Sequence, residues 1–124
     1  MDIAKMRKSN IIRDKSFQFA VRTIKLAQDL AQHREYVLSK QFMKSATSIG
    51  ANVEEGLQGQ SRPDFISKMS IALKEAYEAR YWLRLMHTAN LGKPDVVIEL
   101  GRESSELILI LSSIIKTTKV GKQK

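Results

Sequence analysis

The sequence predicts an all-α protein, folded as an antiparallel up-down-up-down four-helix bundle. Four long segments carry apolar residues at alternating spacings of three and four, which is the repeat of a helix with one buried face. Short polar links join these segments, and none of them shows the alternation of a β-strand. The 124 residues are enough for one domain with a substantial core.

The first helix is expected to begin at Asp14 or Ser16 and to end near His33. Its apolar face is expected to consist of Phe17, Ala20, Val21, Ile24, Ala27, Leu30 and Ala31. Residues 1–16 carry five basic side chains and two acidic ones. We therefore expect a basic, mobile N-terminal segment over 1–16 and a bundle domain over 17–119.

The second helix is expected to run from Val37 or Ser39 to about Leu57. Its inward-facing residues are expected to be Leu38, Phe42, Ala46, Ile49, Val53 and Gly56. Gly50 lies in the middle of this helix, where glycine costs about 1 kcal/mol relative to alanine. We therefore expect a packing reason for Gly50.

The third segment, Ser61–Asn90, has the longest uninterrupted helical pattern. Its apolar seam is expected to consist of Phe65, Met69, Ala72, Ala76, Ala79, Leu83 and Met86. Ser61 is followed three residues later by Asp64, which predicts a capped N-terminus, and Pro63 suits the first turn. Gly92 predicts the end of the helix.

The fourth helix is expected to run from about Asp95 to Lys119. Its inward-facing residues are expected to be Val97, Leu100, Ser104, Leu107, Leu111, Ile114 and Ile115. The remaining residues, 120–124, are expected to form a basic C-terminal tail.

The chain has more apolar helix surface than one bundle core requires. Residues 107–111 are apolar on every side of the fourth helix, and the third helix carries aromatic side chains beside its alanine-rich seam. We expect further copies of the chain to cover this surface. The predicted interface residues are Tyr77, Tyr81, Trp82, Leu85, Leu109 and Ile110. The alternative is that the aromatic side chains simply lie on the bundle surface.

Lysine and arginine together number 21, against 13 aspartate and glutamate residues, so the net charge is +8. This excess favours polyanionic partners such as nucleic acid, although it also serves solubility. The absence of cysteine excludes disulfides, thiolate metal sites and a cysteine nucleophile. Because the sequence has neither a leader pattern nor an apolar run long enough to span a membrane, we expect a cytoplasmic protein.

No residue pattern supports catalysis or a cofactor. A ferritin-like di-metal site needs Glu-x-x-His on two helices, but neither His33 nor His87 has a glutamate three residues before it. Gly56 and Gly59 are not followed by the Lys-Ser or Lys-Thr of a phosphate-binding loop. We therefore expect no enzymatic activity, no metal and no cofactor.

Three polar residues lie on otherwise apolar helices: Asn52, Glu55 and Glu78. Because unpaired polar groups are costly to bury, we expect them to form a structural polar network that fixes the helix register. A polar pocket for a ligand is the alternative.

The stretch from Ser39 to Ser61 carries a distinctive run of residues. These are Gln41-Phe42, Ser45-Ala46, Ser48-Ile49 and then Asn52-Val53-x-Glu55-Gly56. The run resembles that of the 23S rRNA intervening-sequence proteins, a family of four-helix bundles. The resemblance extends over the chain from Phe17 onward.

The resemblance implies an antiparallel bundle that assembles as a ring, typically a homopentamer, without established enzymatic activity. Genes of the family often lie in insertions within 23S rRNA genes. A related group accompanies reverse transcriptases in diversity-generating retroelements, where a basic barrel is implicated in nucleic-acid binding. The family usually has arginines soon after Glu-Gly, whereas residues 58–60 intervene here. The remaining candidates for nucleic-acid contact are Arg62, Lys68, Arg80 and Arg84.

Two functions are consistent with these observations. The first is a non-enzymatic homo-oligomer that binds nucleic acid, RNA foremost, as an rRNA-insertion or ribonucleoprotein accessory protein. The alternative is a structural bundle that partners another protein, such as a reverse transcriptase, with the charge serving solubility.

Overall fold

The protein, described by a computed structural model over residues 3–122, consists of four α-helices. These are α1 (Ile3–Gln32), α2 (Tyr36–Leu57), α3 (Arg62–Ala89) and α4 (Pro94–Lys122). Residues 1–2 and 123–124, which belong to the expected terminal segments, lie outside the described residues. Because residues 3–122 contain no strand, the expected all-α class is confirmed. None of the described helices is long and apolar enough to cross a membrane.

Each helix packs against the next one along the chain, and α4 also packs against α1. All four helices contribute large, fully buried side chains to one core, among them Phe19, Phe42, Leu83 and Leu111. The core therefore lies between the four helices and leaves one side of each helix to the surface.

Contacts between α1 and α2 fix their register. Arg13 Nε of α1 lies 3.8 Å from Glu54 Oε1, which is near the end of α2. Further along, the hydroxyl of Ser39 donates a hydrogen bond to the carbonyl oxygen of Ala27 at 2.6 Å. The contacted residue number therefore falls along α2 as it rises along α1.

Helix α1 is longer than predicted. It begins at Ile3 rather than at Asp14 or Ser16, so the expected domain boundary after residue 16 falls inside the helix. Ile12 and Ser16 are already buried. The described part of the segment before Phe17 therefore belongs to the bundle, because the buried face of α1 extends back through it.

Helix α1 also buries a different face from the predicted one. Its buried residues are Ile12, Ser16, Phe19, Thr23, Leu26, Ala27 and Leu30. Phe17, Val21 and Ile24, predicted to lie in the core, are 61%, 37% and 40% exposed. The prediction is confirmed for Ala27 and Leu30 and wrong for Phe17, Val21 and Ile24. It fails there because Ser16 and Thr23 interrupt the apolar repeat of the buried face, so apolar residues alone trace the neighbouring face.

The other three helices bury their predicted faces almost completely. On α3 the buried residues are Met69, Ala72, Ala76, Ala79, Leu83 and Met86. The predicted face of α2 is buried except for Leu38, which is half-buried, and all seven predicted residues of α4 are buried. Helix α3 starts as predicted, because the Ser61 hydroxyl accepts a hydrogen bond from the Asp64 N–H at 3.1 Å. It ends at Asn90, whose φ of 59° is left-handed, before Gly92 is reached.

Gly50 lies where α1 approaches α2. A Cβ atom at this position would lie 3.5 Å from the carbonyl oxygen of Ser16, which is an ordinary van der Waals contact. An alanine side chain therefore fits at Gly50, and the packing reason expected for glycine at this position is not observed.

Candidate nucleic-acid interface

A groove of about 570 Å³ lies on the surface between α3 and α4. Its lining consists of Arg80, Leu83, Arg84, His87 and Thr88 from α3, and Val97, Ile98, Gly101 and Ser105 from α4. Leu83 and Val97 are buried and form its floor. Gly101 lies at an open part of the α4 wall, because a Cβ atom built there would find no heavy atom within 4 Å.

The α3 wall of the groove carries cations without matching anions. Arg80 and Arg84 lie one helical turn apart, about 6 Å along the helix axis, and His87 follows in the next turn. No carboxylate lines the groove. No carboxylate in the described part of the chain lies within ion-pair distance of either arginine. Both guanidinium groups therefore remain available to an anionic ligand.

The opposite side of α4, which faces α1, carries paired charges instead. Arg22 of α1 forms an ion pair with Glu103, and Arg102 donates a hydrogen bond to Glu99 at 2.6 Å. This hydrogen bond and the charge of Arg102 lower the pKa of Glu99, and the same bond raises the pKa of Arg102. The charges of Arg22 and Arg102 on this side are therefore compensated within the chain.

Aromatic side chains lie beside the groove on α3. The guanidinium carbon of Arg80 lies 5.1 Å from the ring centroid of Tyr77, which is a cation–π distance. Tyr81 packs edge-on against Trp82, with ring centroids 5.3 Å apart and ring planes at 68°. Tyr77 and Tyr81 are 48% and 51% exposed, so both rings offer apolar area next to the two cations.

The four cations predicted to contact nucleic acid lie in three separate places. Arg80 and Arg84 share the groove. Arg62 lies about 27 Å from Arg80 along the helix axis and lines a different cleft together with Lys8. Lys68 lies on the α2 side of α3, where its Nζ is 4.0 Å from a carboxylate oxygen of Glu55. Only two of the four cations therefore line the same groove.

The three residues of the predicted polar network form no hydrogen bond or ion pair with one another within residues 6–121. The side-chain amide of Asn52 donates to the carbonyl oxygen of Ser48, one turn earlier, at 2.8 Å. Glu55 and Glu78 are exposed. Burial is the largest cause of the raised pKa of Glu75, and the charge of Glu78 is the second. No bond among these three side chains fixes the helix register.

The predicted interface residues divide into an exposed and a half-buried group. Tyr77, Tyr81, Leu85 and Leu109 are exposed, as contact with another copy requires. Trp82 and Ile110 are half-buried and pack against the core of their own bundle. The indole N–H of Trp82 is buried and has no hydrogen-bond partner among the described residues.

A second apolar surface, not predicted from the sequence, lies on α1 and α2. We call it the α1–α2 patch, and it consists of the exposed side chains of Phe17, Val21, Ile24 and Met43. The helices pack in the order α1–α2–α3–α4–α1, so this patch and the groove lie on opposite sides of the bundle. The sequence signal for this patch is indirect. Ser16 and Thr23 recur with apolar residues at helical spacing and mark the buried face of α1, which leaves the patch residues on the exposed face.

The sequence reasoning also missed the α4 wall of the groove. Gly101 is the available signal, because an interior glycine costs a helix about 1 kcal/mol relative to alanine and therefore needs a reason. The sequence pattern tests His87 only as a metal ligand, whereas the structure places it in the groove with Arg84. No group of three or more His, Cys, Asp or Glu residues in the described chain could hold a metal ion.

Comparison with known proteins relates the chain to one family. Residues 8–113 match the family described as 23S rRNA-intervening sequence protein. A crystal structure from Bacteroides thetaiotaomicron VPI-5482, described as a protein of unknown function from the S23 ribosomal protein family, is 44% identical with a TM-score of 0.83. The match covers 88% of this chain and 98% of that one. No curated protein matches. The chain therefore belongs to the 23S rRNA-intervening sequence protein family.

Proposed function

We propose that this protein is a non-enzymatic, homo-oligomeric four-helix bundle that binds nucleic acid in the cytoplasm, as an rRNA-insertion or ribonucleoprotein accessory protein. The observation that carries the proposal is the groove between α3 and α4, where Arg80 and Arg84 have no carboxylate partner among the described residues. Because the family description refers to 23S rRNA, RNA is the first polyanion to test.

The expected binding mode is contact with phosphate groups. A guanidinium group donates two parallel hydrogen bonds to phosphate oxygens, and this fork geometry makes arginine a preferred phosphate ligand. Each contact releases condensed counterions from the nucleic acid, so affinity falls as the salt concentration rises. The net charge of +8 supports this mode because it accelerates the encounter with a polyanion. Such contacts hold a nucleic acid in place without reading its sequence.

We further propose that the bundle is antiparallel and assembles with copies of itself. Two observations support the antiparallel arrangement: the opposite numbering of the α1–α2 contacts, and links of only a few residues between consecutive helices. Self-association is supported by exposed apolar side chains on opposite sides of the bundle, namely the α1–α2 patch on one side and Leu85 with Leu109 on the other. Contact between two different surfaces closes into a ring when the rotation permits. The homopentamer that the family resemblance implies is such a ring.

Replacement of Arg84 tests nucleic-acid binding, with Arg102 as the matched control. Both side chains are exposed arginines, but Arg102 is already paired with Glu99. We expect Arg84→Gln to weaken RNA binding and to reduce the slope of log K against log salt concentration by about 0.7 for a single strand. Arg102→Gln should leave the slope unchanged. Fluorescence-anisotropy titrations at several salt concentrations measure both, and failure of the wild type to bind any RNA or DNA at low salt would contradict the proposal.

A structural bundle that partners another protein, such as a reverse transcriptase, is the second candidate function. The α1–α2 patch favours it, because an exposed cluster of four apolar side chains is typical of a protein-binding surface. Purification from the native host distinguishes the two functions. Recovery of a stoichiometric protein partner without nucleic acid would support this candidate over the first.

A further inference from the structure

We propose that the groove between α3 and α4 binds a single-stranded segment of nucleic acid, with phosphates on Arg80 and Arg84 and bases stacked on Tyr77 and Tyr81. This inference rests on the proposed function and adds the form of the ligand and the role of the two tyrosines. It also assigns Tyr77 and Tyr81 to the ligand rather than to contact between copies of the chain.

The four residues alternate between aromatic and cationic side chains along one side of α3. They occupy positions i, i+3, i+4 and i+7, which a helix places on one face. From Tyr77 to Arg84 the helix rises about 10 Å. A strand with a rise of about 3.4 Å per base would present two or three nucleotides over this length. The spacing therefore allows phosphates and bases of the same short segment to be held together.

Contacts within the protein hold both tyrosine rings before a ligand arrives. The guanidinium carbon of Arg80 lies 5.1 Å from the ring centroid of Tyr77, and the ring of Tyr81 packs edge-on against the ring of Trp82. Trp82 in turn packs against the core. Rings that are already positioned lose little conformational entropy when a base stacks on them, so more of the stacking energy remains for binding.

The combination of cations and exposed rings favours a single strand over a duplex. Proteins that bind single strands generally join a positively charged groove to aromatic side chains on which bases stack. In a duplex the base faces are already stacked on one another, and Tyr77 and Tyr81 could not reach them without unpairing. Duplex binding would use Arg80 and Arg84 alone.

Charge complementarity favours a polyanion as the occupant of the groove. Arg80 and Arg84 have no carboxylate partner among the described residues, and a nucleic acid supplies the missing negative charge. Contact between copies of the chain leaves this groove free when it uses Leu85 and Leu109, because these exposed residues do not line the groove.

The test compares a single-stranded RNA of about 12 nucleotides with a duplex of the same length. The wild type should bind the single strand more tightly. Replacing both tyrosines (Tyr77→Leu with Tyr81→Leu) should weaken single-strand binding about five- to hundredfold per stacked base, whereas Tyr→Phe at the same positions should retain most of the affinity. Tyr36→Leu is the matched control, because Tyr36 is 64% exposed but lies on α2, outside the face of α3 that carries Arg80 and Arg84.

Three results would overturn the inference. They are equal affinity of the wild type for both forms, unchanged single-strand affinity in the double leucine variant, and a lowered oligomeric mass of that variant with unchanged affinity. In each case a loss of binding in Arg84→Gln would still support the proposed function, so the two failures are distinguishable. If the leucine variant does not fold, ultraviolet crosslinking of wild-type protein to the single strand decides. Crosslinked peptides that contain Tyr77 or Tyr81 support the inference, and crosslinks confined to other peptides overturn it.

Discussion

Gly56 and Gly101 both lie inside helices, but their surroundings differ. At Gly56 a Cβ atom would lie 3.0 Å from Met69 Cε and 3.1 Å from Lys68 Cβ, so the missing side chain allows α2 to approach α3 closely. At Gly101 nothing lies within 4 Å of the same atom, so packing does not require glycine there. Gly101 lines the groove between α3 and α4, where an alanine methyl group would point into open space.

The contrast predicts the effect of alanine at each glycine. We expect Gly101→Ala to raise the free energy of unfolding by about 0.5–1 kcal/mol, because alanine favours the helix and meets no obstruction. Gly56→Ala should lose some or all of that gain, since Met69 and Lys68 must move to admit the new methyl group. Urea unfolding of the two variants measures both effects. A destabilised Gly101→Ala variant would indicate that other atoms fill the groove in the folded protein.

At the scale of the helix, the sequence is sufficient where the buried face is made of apolar residues. The faces of α2, α3 and α4 follow the predicted pattern because the apolar repeat of each helix lies on its buried face, although α2 also buries Ser39 and Ser45 and α4 buries Ser104 and Thr118. Helix α1 departs because Ser16 and Thr23 occupy buried positions while Phe17 and Val21 are exposed. An apolar pattern cannot distinguish a core face from an exposed one when both are present on one helix.

The corrected face of α1 is tested by a pair of phenylalanines. We expect Phe19→Ala to destabilise the protein by about 3–5 kcal/mol, because Phe19 is fully buried and its removal leaves a cavity. Phe17→Ala, two residues away, should change the stability of the single, dissociated chain by no more than about 0.5 kcal/mol, because Phe17 is 61% exposed there. Chemical denaturation of both variants provides the comparison. Equal losses, or a larger loss for Phe17, would mean that α1 buries the face predicted from its apolar residues.

The candidate site could be predicted only in part for a related reason. The spacing of Arg80 and Arg84 is visible in the sequence, and so are the tyrosines beside them. Which cations share a site depends on which neighbouring helix each one faces, and the sequence does not supply that. Lys68 faces α2 and approaches Glu55, whereas Arg84 faces α4, where the groove offers no carboxylate. The α4 residues belong to the site only because α4 packs against α3, and the sequence does not show which helices pack together.

At the scale of the whole molecule, the exposed surfaces differ by side of the bundle. The side formed by α1 and α2 carries the α1–α2 patch, and the side formed by α3 and α4 carries the groove with its uncompensated arginines. Between α1 and α4 the charges pair with one another, as Arg22 does with Glu103. The uncompensated arginines that suit a polyanion therefore lie on the α3–α4 side, whereas apolar residues suited to protein contact are exposed on both sides, as the α1–α2 patch and as Leu85 with Leu109.

The proposed self-association predicts the mass in solution. Light scattering at micromolar concentration should give a multiple of the mass of one chain, a fivefold multiple for the pentamer. Ile24→Glu, which places a charge in the α1–α2 patch, should lower that mass, while Gln18→Glu, a change of an exposed residue on the side of α1 that faces α4, should not. A wild-type protein with the mass of a single chain would exclude the ring.

The most direct test of the central claim is to observe the groove while nucleic acid is added. The amide resonance of Gly101 is suited to this, because glycine amides are few and this one lies at the open part of the α4 wall. In a titration of isotope-labelled protein with a single-stranded RNA, we predict that the resonances of Gly101, Thr88 and Ser105 shift together while those of Gly50 and Gly56 remain. Shifts confined to α1 and α2, with Gly101 unchanged at saturation, would contradict the claim that the groove between α3 and α4 binds the nucleic acid.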